Sequence, residues 1–113
     1  MNDRLPTHLL ASALVRRVSQ AGGSAMVLAK GDQQAGAILV LTLDRGADPR
    51  FFERGMGQNG AVQLIASGPD GFADSLAVAD YWQRRRRSDP DLWVIEVDVA
   101  GAERFVAETI VQG

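Results

Sequence analysis

The chain has no cysteine, a single histidine and a single lysine among its 113 residues. Without cysteine there can be no disulfide, thiolate zinc site, iron–sulfur cluster or cysteine nucleophile, and the chain suits a reducing compartment without requiring one. The lone histidine, His8, has no Ser, Asp or Glu arrangement beside it that resembles a catalytic triad or a metal motif, and it reads as a surface or capping residue. No serine sits in a G-x-S-x-G elbow. Long apolar runs are also missing: the longest, AGAILVLTL at 35–43, is about half of the roughly 20 residues a membrane helix needs. Near the amino terminus LLASALV is short and its arginine pair follows it instead of preceding it, so a signal peptide is not expected and the chain reads as cytoplasmic. Net charge is only −2, so any attraction to a polyanion has to come from local clustering.

What is present is an ordinary globular composition, 46% hydrophobic and 23% charged, in a length that suits one domain over residues 1–113. Such a chain buries about two-thirds of its unfolded surface in one core. Eleven arginines stand against Lys30. That imbalance is explained by GC-rich codon usage as well as by anion recognition, to which arginine is the better suited of the two.

Leu10, Leu14, Val18 and Ala21 recur at helical spacing, and Gly22-Gly23 ends that helix, which starts near Pro6. SAMVLAK, GAILVLTL, RFFERGM and AVQLIAS read as four strands of an antiparallel meander over 24–67, the second apolar enough to lie in the middle of a sheet. GPDG at 68–71 is a turn. A second helix is predicted from about Asp74 to Arg87, ended by Asp89-Pro90. LWVIEVD at 92–98 is an internal fifth strand, with Trp93, Ile95 and Val97 on one face and Leu92 and Val94 on the other. Ala102, Phe105, Val106, Thr109 and Ile110 share one side of a third helix. The predicted fold is α+β, with a mainly antiparallel sheet of about five strands and three helices in the order α-β-β-β-β-α-β-α.

The candidate site is the run Arg84, Arg85, Arg86, Arg87 with the turn Asp89-Pro90-Asp91 and Trp93 behind it. On a helical wheel of about 100° per residue, Arg85 and Arg86 border the sector of Ser75, Val78, Ala79 and Trp82. Arg84 and Arg87 lie on the other side, with Asp80 and Arg84 at the stabilising i,i+4 spacing. The run is therefore not a single patch, and its place in the last helical turn suits the helix dipole. Trp82 and Trp93 read as core, with Arg85 or Arg86 packed on the Trp82 ring. Asp89 and Asp91 read as turn carboxylates that accept backbone N–H groups, not as metal ligands. Gly55-Met56-Gly57-Gln58-Asn59-Gly60 satisfies G-x-G-x-x-G, but a strand-like run follows it where a dinucleotide site needs a helix, and Asn59-Gly60 favours a tight hairpin.

The segment RRRRSDPDLWVIEVD, together with AGAILV at 35–40 and RLxxxLLxSALVRR from Arg4 to Arg17, resembles the alphaproteobacterial domain-of-unknown-function family 1491. The resemblance implies a small bacterial cytosolic protein that is the whole gene product, and it brings no reaction, cofactor or partner. Its motif positions here are Arg16, Arg17, Ala35, Gly36, Ala37, Arg86, Arg87, Asp89, Pro90, Asp91, Leu92 and Trp93.

Three functions are left open. The first, favoured because catalytic groups are missing, is a noncatalytic protein-interaction or regulatory module that uses a sheet edge or the Arg/Asp-rich end of the second helix, toward a partner protein or its own copy. The second is RNA or phosphorylated-ligand binding through Arg84 to Arg87 with Arg16 and Arg17. The third is a small enzyme using His8 with Asp89 or Asp91. No cofactor, metal or membrane partner is expected.

Overall fold

The computed structural model describes residues 5–111. Its elements are α1 (Thr7–Gln20), β1 (Ser24–Ala29), β2 (Ile38–Asp44), β3 (Ala47–Met56), β4 (Val62–Ser67), α2 (Ser75–Ser88), β5 (Trp93–Asp98) and α3 (Ala102–Val106), which continues as a π turn over Ala107–Val111. The order is the expected one, and the five strands form one mixed, mostly antiparallel sheet.

One feature of the sheet differs from the sequence reading. The strand order is β1-β5-β2-β3-β4, so only β2, β3 and β4 form a meander. β5 lies between β1 and β2, antiparallel to the first and parallel to the second. The reason lies in the faces of the strands. Ile38 to Leu41 and Trp93 to Ile95 are buried on both sides, and strands of that kind are most stable side by side under helices on both faces. β1 is buried on no residue and suits an edge.

The helices divide between the faces. Leu10, Leu14 and Val18 of α1, with Val106 and Ile110, cover Ile38, Val40, Trp93, Ile95 and Val97. On the opposite face Val78, Tyr81 and Trp82 of α2 pack with Leu39, Leu41, Phe51, Leu92 and Val94. The period-two alternation of β5 thus feeds two cores at once. Phe51 anchors the second through ring contacts to Tyr81, centroids 4.7 Å apart, and Phe72, 5.6 Å apart.

Helix ends are closed by the chain itself. Asp74 caps α2, its carboxylate accepting from the Ala77 N–H at 2.8 Å. α1 has no side-chain cap; the N–H groups of Thr7 and His8 donate instead to the carbonyls of Gln34 and Gln33. The regular third helix expected from spacing is interrupted. Thr109 donates its hydroxyl to the Phe105 carbonyl at 2.8 Å and lies in the widened turn, where such back-bonding commonly bends a helix.

Candidate functional site

The arginine run lies within α2, and its members have separate partners. Arg84 pairs with Asp80 at 2.9 Å on the exposed side of the helix. Arg85 turns inward and donates to both carboxylate oxygens of Glu53 on β3, at 2.8 and 2.9 Å, and to the Tyr81 hydroxyl at 3.0 Å. The Arg85 guanidinium holds the Glu53 carboxyl below its ordinary range, against the opposing effect of burial. Glu53 in turn raises the Arg85 pKa. Arg86 donates to the carbonyls of Pro90 and Lys30, and so ties the helix end to two loops. Arg87 is exposed and has no side-chain partner among the described residues.

The expected stacking on Trp82 is replaced by an Arg85 guanidinium 6.0 Å from the Tyr81 ring centroid. Pairing with Glu53 draws Arg85 toward β3 and away from the tryptophan. Arg16 is exposed on α1, and Arg17 binds the Thr109 hydroxyl at 2.8 Å and Glu108 at 3.4 Å, its guanidinium over the Phe105 ring. These two arginines belong to the helix layer on the far side of the sheet from α2. The fold does not bring the two basic groups together.

The DPDLW turn and the loop at 30–37 form a backbone knot. The Asp89 carboxylate accepts from the Asp91 N–H, the Asp32 N–H donates to the Asp91 carbonyl, and the Asp32 carboxylate accepts from the Gln34 and Ala35 N–H groups. Trp93 is 5% exposed, and its indole N–H donates to the Asp32 carbonyl at 2.7 Å. The Thr7 hydroxyl closes the other side on the Gly36 carbonyl at 2.7 Å. A Cβ on Gly31 or Gly36 would sit 2.0 or 2.2 Å from the Asp91 carbonyl oxygen, so both positions require glycine by contact. His8 Nδ1 lies 3.2 Å from the Gln33 carbonyl, and no hydrogen bond joins it to Asp89 or Asp91 among the described residues. No group of three or more potential metal ligands occurs among those residues either. The G-x-G-x-x-G segment is a hairpin turn: Gly57 N–H donates to Ala61 C=O at 2.8 Å, and Gly60 has φ 81°.

The most ligand-like feature lies elsewhere. Beside α2, a groove of about 480 Å³ opens over the sheet, walled by Leu28, Leu41, Leu43, Phe72 and Trp82. Glu96 of β5 lies in it, on the internal strand next to the β1 edge, partly shielded and without an ion pair or hydrogen bond among the described residues. Among the described residues Asp74 is the other charged group of the groove, and no basic side chain lines it. A bulge in β1 between Val27 and Ala29 lets Leu28 and Ala29 both pack on this side. The sequence carries a trace of this site, because Glu96 continues the series Leu92, Val94 on one face of an otherwise apolar central strand.

A family model described as a protein of unknown function, DUF1491, matches residues 5–107. The chain belongs to the DUF1491 family. A crystal structure of a DUF1491 family protein from Caulobacter crescentus CB15 is similar, with 32% identity, a TM-score of 0.77 and coverage of 90% of this chain and 94% of that one. An NMR structure of a DUF1491 family protein from the same organism gives 32% identity and a TM-score of 0.74 over 89% and 91% of the two chains. A solution structure of a protein from A. tumefaciens is 31% identical, with a TM-score of 0.65 over 85% and 86%. No curated protein matches the chain. Of the residues through which the sequence resembles that family, Gly36, Arg86, Asp89, Pro90, Asp91 and Trp93 all take part in the knot and its ties to α2.

Proposed function

We propose that this chain is a noncatalytic, cytoplasmic interaction module whose binding surface is the groove beside α2, and that its partner is a protein segment presenting apolar side chains around a lysine or arginine. The observation that carries this reading is Glu96: a carboxylate on a central strand, partly withdrawn from water, with apolar walls and no cation of its own among the described residues. A carboxylate there is a fixed acceptor for a charge-assisted hydrogen bond from an incoming cation, while the walls bury that cation's apolar neighbours. Binding sites of this kind combine mostly apolar walls with few fixed polar groups. Against the arginine run as the surface stand the engagements of Arg84, Arg85 and Arg86 within the chain itself.

Selection of displayed peptides on the immobilised protein tests the proposal. The expected result is enrichment of sequences with Lys or Arg between apolar residues, and binding weakened about tenfold or more by Glu96→Gln, as loss of a charge-assisted bond implies. Enrichment of acidic peptides, no enrichment, or binders indifferent to both Glu96→Gln and Trp82→Ala would overturn it. So would light scattering that shows a dimer in the wild type and a monomer in Trp82→Ala, because a second copy would then occupy the groove.

A further inference from the structure

Arg54 lies near the end of β3 on the face covered by α1 and the C-terminal helix, opposite Leu64 of β4. The other partly shielded arginines among the described residues all have acceptors: Arg17 on Thr109 and Glu108, Arg85 on Glu53, Arg86 on two carbonyls. Arg54 has none among the described residues, and its Nε is closed off from solvent without a hydrogen-bond partner. It borders a hollow of about 150 Å³, lined also by Ala35, Gly36, Ala37, Ile38 and Ile110.

We propose that this hollow is a binding site for a small aliphatic carboxylate. Arginine's planar fork of donors matches a carboxylate bidentately, and the two terminal Nη groups of Arg54, which unlike Nε are not shut off from solvent, have no acceptor among the described residues. Among the described residues the remaining lining side chains are the methyl groups of Ala35 and Ala37 and two isoleucines, which suit a short hydrocarbon body. Phosphate fits less well, because its higher charge calls for more donors than one guanidinium brings. The size admits a carboxylate with a few carbons and excludes a nucleotide. The site lies on the opposite face of the sheet from the groove at Glu96, so the two proposals stand independently.

The test is a proton–nitrogen NMR titration of the full chain with sodium butyrate, with sodium chloride at matched ionic strength and sodium phosphate as parallel arms. Saturable movement of the Arg54 Nε–H signal and of the amides of Ala35, Gly36, Ala37 and Ile110 is expected with butyrate at millimolar concentrations, weaker with phosphate and absent with chloride. Arg54→Gln should weaken the response at least tenfold, and Arg54→Lys should weaken it less. Shifts that do not saturate, that follow ionic strength alone, or that persist unchanged in Arg54→Gln would overturn the proposal. Should Arg54→Gln not fold, the three wild-type titrations and Arg54→Lys decide the question.

Discussion

Arg85 and Glu53, thirty-two residues apart in sequence, meet through two parallel hydrogen bonds that join α2 to β3 across the second core. The contact turns the Arg85 guanidinium inward onto Glu53, leaving the side chain 32% exposed, and so breaks any continuous basic patch along the run. It also makes the four arginines unequal in a measurable way. Arg85→Met leaves Glu53 half-buried and unpaired, and should cost about 2 kcal/mol of stability, below the full range for a wholly buried pair. Arg84→Ala and Arg87→Ala should each stay within about 0.5 kcal/mol, because exposed pairs contribute little. Urea denaturation of the three variants measures the contrast, and equal effects would contradict the assignment.

The same pair sets a pH dependence. Because the folded-state pKa of Glu53 lies below its ordinary value of 4.5, its contribution is fully present above that value and is lost as pH falls through the lowered folded pKa. The stability gap between the wild type and Glu53→Gln should therefore be constant near neutrality and narrow progressively once pH drops below 4.5. Chemical denaturation at a series of pH values checks this. A gap that widens on acidification would contradict it.

Glycine at position 36 is required by its nearness to the Asp91 carbonyl oxygen, 2.2 Å from where a Cβ would stand. Backbone cannot yield as a flexible side chain does, so Gly36→Ala should destabilise by about 3 kcal/mol, the upper range for overpacking. Gly71→Ala, with open space around the added carbon, is the control and should be near neutral. Thermal denaturation of the two variants distinguishes them.

Trp93→Phe retains most of the ring packing but removes the donor to the Asp32 carbonyl. A loss of about 1–2 kcal/mol is expected from the orphaned acceptor and the smaller ring. Faster amide exchange should be confined to the loop at 30–37. Exchange spread evenly over the sheet would contradict a local role for this bond.

Much of this fold can be read from local pattern, because the pattern is strong where it decides something. The two-sided apolar strand LWVIEVD, the divided wheel of α2 and the Asn59-Gly60 hairpin each depend on near neighbours. The place of β1 does not. With a loop as long as 30–37, β1 and β2 need not pair, and β5 displaces β1 because its two apolar faces gain more from the central position. Glu53 and Arg85 meet only through tertiary packing, so no spacing announces them. The knot residues resembled a recognition motif in sequence because turns and binding loops draw on the same residue types, Asp, Gly and Pro. Glu96 was visible as an acid in an apolar alternation, but its lack of a partner is a property of the whole fold.

The reading that the groove at Glu96 binds a cation-bearing apolar segment is tested most directly by NMR mapping of a selected Lys- or Arg-containing peptide on the labelled protein. The account predicts saturable shifts centred on Leu28, Leu43, Trp82 and Glu96, which Glu96→Gln suppresses while the amides of Arg84 and Arg87 stay still. Shifts centred on Arg84 to Asp91, unchanged by Glu96→Gln, would contradict it.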